Sequence, residues 1–407
     1  MPRVLFIHNG SPGRFLFLNE ALAARGWERA HIGPPDATDL PGAKNLRWKY
    51  TRGTTQGVLN LAVRAEADLI RAEAAAGMAL ALRDEGFVPD IVIGHPGWGE
   101  MAFLKEVFPA AKQIQIGELF YRSRNTDYEF DREFATYDFS GTLRIHAKNA
   151  VLALSHTDAD RIVCPTPFQA STLPEIFQSR IDIIHEGVDT TKAHRLSRFG
   201  IRLHGKLIDG TRPVFTFVNR AFEPLRGFHI FMRALPRLLE QVPDADVILV
   251  GQDRDKVYGA GPTEGGTWKS VMMAEVGDKL DMSRVHFTGK LPYGDLLKVL
   301  SLSWGHVYMT YPFVLSWSLL DAMACECVMV ASDTGPVRDV VRHGENGLLF
   351  DFFDHQALAD QLTAIARDPQ AYSHLRKAAR QTVLDEYDRE TVCLPAWLRL
   401  IDDVMAS

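Results

Sequence analysis

The sequence predicts an α/β protein built as two parallel-sheet halves. Three observations lead there. At 407 residues the chain is too long for one ordinary hydrophobic core. Short apolar runs alternate with helical stretches, the pattern of a parallel sheet covered on both faces. A polar stretch without period, 191–210, interrupts that alternation once. The expected organisation is an N-terminal domain over 1–190, a linker over 191–210, a C-terminal domain over 211–386, and a terminal helix over 387–407 packing back on the first domain.

Composition narrows the class. The chain is 46% hydrophobic and 24% charged, as soluble globular proteins are, and its formal net charge of −6 argues against a general nucleic-acid binder. No apolar run has transmembrane length, and the apolar core of Met1–Gly13 is too short for a signal peptide. Cys164, Cys325, Cys327 and Cys393 show neither disulfide nor metal spacing and read as small core residues, in keeping with a reducing cytoplasm.

In the first half Val4–Ile7 is a strand, His8–Gly13 a Gly-rich loop and Arg14–Ala24 helical. Gly10 and Gly13 let a ligand approach the backbone; the other reading is an ordinary turn. Val63–Glu85 is a helix. Ile91–Gly94 is a strand running into His95-Pro96-Gly97-Trp98, and Gln113–Ile116 ends at Gly117-Glu118. Ile162–Cys164 and Ile181–Ile184 are two more strands. Phe120–Phe139 is polar, aromatic and aperiodic, long for a loop in a compact domain, and so functional or mobile. Lys44–Arg52 interleaves four basic residues with two aromatics. It is either a solvated loop or a contact for an anionic acceptor or a lipid headgroup at the inner face of a membrane.

In the second half Val214–Val218, Val247–Val250, Val285–Thr288 and Val307–Met309 are strands and Gly227–Gln241 is a helix. Met309–Ala331 then reads as strand end, turn, helix, turn, strand. Pro312 forces the turn. Ser316 is the N-cap of a helix over Ser318–Ala324, and Cys327–Ala331 is apolar enough for a strand buried on both faces. A helix starting just past a strand's carboxyl end points its free N–H groups outward, which suits a phosphate. Asp321 lies about one turn into that apolar helix, facing either a ligand or solvent. Two such halves joined by one linker imply a ligand cleft. Arg220 follows the first strand of this half and Arg226 opens the next helix. Two guanidiniums suit bidentate phosphate binding and balance a diphosphate's charge. The alternative is surface pairing with Glu223 or Asp253.

Six motifs recur in a specific order: His185-Glu186-Gly187-Val188-Asp189; Asn219-Arg220 with Arg226-Gly227; Val250-Gly251; Phe287-Thr288-Gly289; Met309–Ala331; and Ser332-Asp333-Thr334-Gly335 with Asn346-Gly347-Leu348-Leu349. In that order and spacing, with Gly94-His95-Pro96 and Gly117–Tyr121 in the first half, the chain resembles a family 4 glycosyltransferase of the GT-B fold, two Rossmann-like domains facing across a cleft. The resemblance implies a retaining enzyme moving a sugar from a nucleotide-diphosphate sugar, UDP- or GDP-linked, to a glycan, glycolipid or other acceptor, with no metal and no further cofactor. It implies that Arg220 and Arg226 grip the diphosphate and act in catalysis, with Ser316, Trp317 and Ser318 beside it and Gly10 and Gly13 beneath it. It places Thr288, Gly289, Lys290 and Leu291 by the base, Asp321 on the ribose as the second acid of a Glu-x7-Glu motif, and His95 near the donor sugar and acceptor as a further catalytic residue. The chain departs from the family at three points. Phe313 stands where the motif's first acid belongs, Val314-Leu315-Ser316 where Gly-Phe-Gly is usual, and Arg226 where Lys is usual. These departures keep two other readings open: a sugar-nucleotide epimerase of the same fold, and a non-catalytic nucleotide-sugar-binding protein.

Overall fold

The computed structural model describes residues 1–10, 12–134, 137–197 and 199–407. The chain forms two compact units. One comprises Met1–Glu129, Tyr137–Glu186 and Cys393–Ser407, the other Phe130–Thr136 and Gly187–Val392.

The first unit holds a parallel sheet of β1 (Arg3–Ile7), β2 (Glu28–Gly33), β3 (Lys44–Arg47), β4 (Ile91–Gly94), β5 (Lys112–Ile116), β6 (Arg161–Cys164) and β7 (Ile181–Ile183), in the order 3-2-1-4-5-6-7. Alternate residues of β1 serve opposite faces, as a strand requires. Leu5 and Ile7 pack with Ala75, Ala79 and Leu82 of the helix Val63–Asp84. Val4 and Phe6 pack with Trp397, Leu400, Ile401 and Val404 of the helix Leu394–Ala406. Two strands escaped the sequence reading. β2 opens on Glu28 and Arg29, and the edge strand β3 is largely polar, so neither offers an apolar run. This corrects the expectation for Lys44–Arg52: Lys44 pairs with Glu85, Arg47 with Asp39 and Arg52 with Glu66, while Trp48 is fully buried. Three of its four cations are thus paired within the unit.

The second unit holds β8 (Ile201–Leu203) and β9 (Lys206–Ile208), an antiparallel hairpin inside the expected linker. Its two-residue turn puts His204 and Gly205 at φ 48° and 83°, the left-handed pair whose twist matches a hairpin. The main sheet is parallel: β10 (Val214–Ala221), β11 (Asp246–Gln252), β12 (Val285–Gly289), β13 (Gly305–Tyr308), β14 (Val328–Ser332) and β15 (Leu348–Phe350), in the order 12-11-10-13-14-15. Strand order reverses between β1 and β4 in one sheet and between β10 and β13 in the other. Ligands of open α/β sheets bind at such reversals, beyond the carboxyl ends of the strands.

Phe120–Phe139 is not a structureless loop. Asp127–Glu129 forms a 3-10 turn, and Phe130–Phe134 packs into the second unit. Phe130 lies 5.1–5.2 Å from the rings of Tyr311, Phe352 and Phe353, and Phe134 packs on His229 and Trp268. The four cysteines are buried, as core residues should be. Among the described residues no helix is long and apolar enough to cross a membrane.

Candidate active site

In the second unit the turn after β10 and the loop after β13 meet across the strand-order reversal. Gly227 makes the approach possible. Its φ is 71°, and a Cβ there would lie 2.4 Å from Met309 Cβ. The neighbouring Arg226 is buried and donates from one terminal nitrogen to Thr310 Oγ1 at 2.9 Å and to the Val314 carbonyl at 2.8 Å. Its guanidinium sits 5.7 Å from the centroid of Phe313. Arg220 is exposed, donates to the Tyr258 hydroxyl at 3.0 Å and lies 5.1 Å over that ring. Tyr258 in turn packs on Phe313 at 6.1 Å. Two cations and two aromatics thus alternate along one edge.

The surface-pairing alternative fails. Glu223 Oε2 accepts from the backbone N–H groups of Tyr258 and Gly259, and Asp253 pairs with Lys269. Among the described residues neither arginine forms an ion pair. Burial raises the Glu223 carboxyl above its usual range, against the pull of Gly259, Arg226, Tyr258 and Arg220. Neither guanidinium is therefore held in an ion pair, and Glu223 is the carboxyl that acts on both.

The helix Trp317–Ala324 begins beside it. Ser316 occupies the N-cap with extended backbone but gives the helix no side-chain cap; its hydroxyl is 2.6 Å from that of Ser318. No side-chain oxygen caps the first turn, whose Leu319 N–H reaches the Ser316 carbonyl at 3.2 Å. Trp317 is exposed and Ser318 half-buried. Asp321 is buried and accepts from the Tyr293 hydroxyl at 2.8 Å. Burial pushes its carboxyl up to about 6, Tyr293 and Arg389 opposing. The hydrogen-bond partner of Asp321 within the chain is thus a phenol. Thr288 and Gly289 end β12; Thr288 donates to the Gly289 carbonyl at 3.0 Å, Lys290 is exposed and Leu291 half-buried.

The first unit assembles a second cluster at the ends of β1, β4 and β5. His95 is buried. Its Nδ1 accepts from the Gly97 N–H at 3.0 Å, so the ring proton sits on Nε2, which donates to Glu118 at 3.2 Å. Arg14 bridges Glu118 and Glu186, each at 2.7 Å. Burial alone would raise the Glu118 carboxyl, but Arg14, His95 and His8 outweigh it and hold it far below the usual range. His8 takes the Gly10 N–H on Nδ1 at 2.8 Å, and burial, with His95 and Arg14, pushes its imidazole down to about 3. Trp98 stacks against His95 at 4.9 Å and meets His8 at 5.8 Å. Neither Gly10 nor Gly13 has a positive φ, and a Cβ at Gly13 would touch nothing. Space, not backbone strain, distinguishes that position.

The sequence reading found His95, Arg220, Arg226 and Asp321 but missed His8, Arg14, Trp98, Tyr258 and Tyr293 as their partners. His8 carried a usable signal, a polar residue directly after a buried strand. Tyr258 and Tyr293 carried none, since each arrives from a distant segment. Asp131, Glu133 and His229 also converge, their ligand atoms within 4.8 Å of one another. Arg233, however, grips both Glu133 oxygens, and the Tyr311 hydroxyl donates to Asp131 at 2.5 Å. That trio anchors Phe130–Phe134.

Two Rossmann-like parallel-sheet units, each gathering its polar groups at the carboxyl ends of its strands, define the fold class as GT-B. Similarity agrees. The family description "Glycosyl transferase family 4 group" matches residues 25–193, and "Glycosyl transferases group 1" matches residues 203–382. The chain belongs to the family 4 glycosyltransferases. It is 28% identical over 217 residues to a D-inositol 3-phosphate glycosyltransferase of Nocardia farcinica, a match covering 52% of this chain and 46% of that protein. The chain thus spans about half the length of the curated relatives it matches. Among solved structures it resembles sucrose-phosphate synthase of Thermosynechococcus elongatus (TM-score 0.74, 19% identity, 100% of both chains). It also resembles Anabaena HepE in complex with UDP (TM-score 0.67, 15% identity, 99% of this chain and 100% of that one).

Proposed function

We propose that the protein transfers a glycosyl group from a nucleotide-diphosphate sugar, UDP- or GDP-linked, to a hydroxylated acceptor with retention at the anomeric carbon. The second unit holds the nucleotide and the first the acceptor. The observation that carries this reading is the unpaired guanidinium pair Arg220 and Arg226 beside an uncapped helix N-terminus. Such an edge suits a diphosphate in the ground state and suits it better as the glycosidic bond breaks and charge moves onto the leaving group. HepE, similar in fold, was solved with UDP, which supports a nucleoside diphosphate ligand.

In this reading Arg226 contacts the β-phosphate, prepositioned by Thr310 and Val314, and Arg220 closes from solvent. Asp321 accepts from the ribose hydroxyls, in place of or alongside Tyr293. Thr288, Gly289, Lys290 and Leu291 line the base. In the first unit both ring nitrogens of His95 are engaged, by Gly97 and Glu118. We assign it to holding the acceptor and sugar rather than to abstracting a proton. The residues call for no metal ion: the two guanidiniums supply the countercharge a diphosphate requires.

Titration with UDP, GDP and ADP, with nucleotide release followed in the presence of a panel of acceptors, tests the reading. Arg220→Ala should cost about 1.5–3 kcal/mol of nucleotide affinity, the range for hydrogen bonds to charged groups. It should leave thermal stability unchanged, since the side chain is exposed. Arg226→Ala should cost affinity and stability together, because it also removes the link between Thr310 and Val314. Unchanged nucleotide affinity in both variants overturns the site. Release of free sugar or of an altered nucleotide sugar without acceptor selects the epimerase, and tight binding with no release selects the non-catalytic protein.

A further inference from the structure

The edge of the second unit that carries Arg220 and Arg226 also carries two aromatic rings whose faces a phosphate does not use. Phe313 is half-buried and packs on the core of that unit. Tyr258 is 57% exposed, yet its backbone is pinned. Its own N–H and that of Gly259 donate to Glu223 at 2.8 and 3.2 Å, and the Ala260 carbonyl accepts from the Trp268 indole at 3.1 Å. Its hydroxyl is held as well, accepting from Arg220 at 3.0 Å. An exposed aromatic that is already fixed costs little further ordering when a ligand covers it.

Geometry ties these rings to the two guanidiniums. Arg226, fixed by Thr310 and Val314, stands 5.7 Å from the Phe313 centroid, and Arg220 stands 5.1 Å from that of Tyr258. The rings lie 6.1 Å apart and are inclined at 55°, so they frame a corner rather than stack on each other. In a nucleotide sugar the glycosyl ring follows the β-phosphate after a single bridging oxygen. With that phosphate on Arg226, the sugar is next to Phe313 and the corner it shares with Tyr258. A pyranose carries hydroxyls round its rim and C–H bonds on its faces. An aromatic face takes no part in binding rim hydroxyls as a carboxylate does. It is electron-rich, attracts the polarised C–H bonds of a sugar, and gains from apolar surface removed from water.

We propose that Phe313 and Tyr258 hold the donor's glycosyl group by a C–H face, and so act as specificity-determining residues for a neutral pyranosyl donor. This deepens the nucleotide-sugar reading and rests on it. The division of labour is between charge and shape: the guanidiniums bind the diphosphate whatever sugar it carries, and the aromatic corner senses the sugar.

The test titrates the full chain with UDP, UDP-glucose, UDP-galactose, GDP and GDP-mannose. The affinity of a nucleotide sugar divided by that of its nucleotide measures what the sugar adds, and comparing that ratio between wild type and variant cancels the difference in phosphate charge. For the donor the wild type binds best, Phe313→Leu should lower the ratio about fivefold, the scale of an aromatic contact beyond its buried area. Phe313→Tyr, which keeps the ring, should preserve it, and Tyr258→Leu should lower it as Phe313→Leu does. Proton NMR gives a second readout: C–H resonances of the bound sugar should move upfield in the wild type, shielded by the ring face, and move back in Phe313→Leu. A purely structural role for the rings weakens nucleotide and nucleotide sugar alike and leaves the ratio unchanged. An unchanged ratio in both leucine variants, or sugar resonances that do not move upfield in the wild type, overturns the aromatic corner while leaving the diphosphate site standing. A wild type that binds neither nucleotides nor nucleotide sugars overturns the donor reading, and the corner with it.

Discussion

Asp321 and Glu100 are both buried carboxyls with raised pKa values, and they make opposite predictions. Asp321 has one donor, Tyr293, and its carboxyl sits at about 6. If it accepts from the ribose, the ionised form binds better, so affinity should fall as pH drops through about 6. A nucleotide sugar is the right probe, because its diphosphate has no ionisation in that window. Asp321→Asn should flatten the profile, and an unchanged slope in that variant would place the carboxylate away from the ligand. Glu100 is fully buried, and among the described residues its carboxyl oxygens make no hydrogen bond of good geometry. Burial pushes it up to about 8, with Arg71 among the groups opposing. The folded chain therefore holds a proton that the unfolded chain releases above its ordinary value of 4.5. Stability is fully present below that value and is lost as pH rises toward 8, by at most about 1.4 kcal/mol per pH unit. Glu100→Gln should abolish that decline; denaturant titrations of both proteins between pH 4 and 8 read it directly.

At the scale of elements, Phe130–Phe134 behaves as a brace for the donor loop. Asp131 accepts from the Tyr311 hydroxyl, and the Tyr311 N–H donates to the Leu225 carbonyl, one residue before Arg226. Asp131→Ala should therefore weaken nucleotide binding without touching the ligand. It should also destabilise the second unit by about 1–3 kcal/mol, the cost of leaving a buried donor unsatisfied. Unaltered nucleotide affinity would show that the brace does not reach the loop. The sequence could not reveal this segment, because its residues become meaningful only against Tyr311, His229 and Phe352, far away in the chain. Elsewhere legibility followed apolar content. β1, β4, β11 and β14 each contain an apolar run of four residues, and β10 one broken only by Thr216, and these were read directly. β2 and β3 contain no such run, and β8 and β9 turn on His204-Gly205 rather than on the usual Asn-Gly. The site divides in the same way. Residues at or just past the end of a strand, such as Arg220 and His95, were legible, whereas partners delivered from another element, such as Tyr258 and Tyr293, were not.

Chain order and unit membership diverge most at the C-terminus, after the long run Gly187–Val392 of the second unit. Trp397, Leu400, Ile401 and Val404 lie in one core with Val4, Phe6, Leu18 and Ile93, and the Trp397 indole donates to the His185 carbonyl at 3.3 Å. Four buried side chains contribute about 1.5–3 kcal/mol each, so together they rival the whole stability of an ordinary domain, about 5–15 kcal/mol. The first unit is therefore not complete until the last helix has been made. A chain ending at Val392 should lose the cooperative unfolding of the first unit and expose its apolar sheet face. The second unit keeps its own sheet and the Val188–Asp388 bridge, and should still bind nucleoside diphosphate. Trp397→Ala, at about 3–5 kcal/mol, should show a milder form of the same split. Calorimetry with and without nucleotide separates the two outcomes, because ligand raises only the transition of the unit that binds it. A truncated chain whose first unit still melts cooperatively at the wild-type temperature would refute the assignment of this helix to that core.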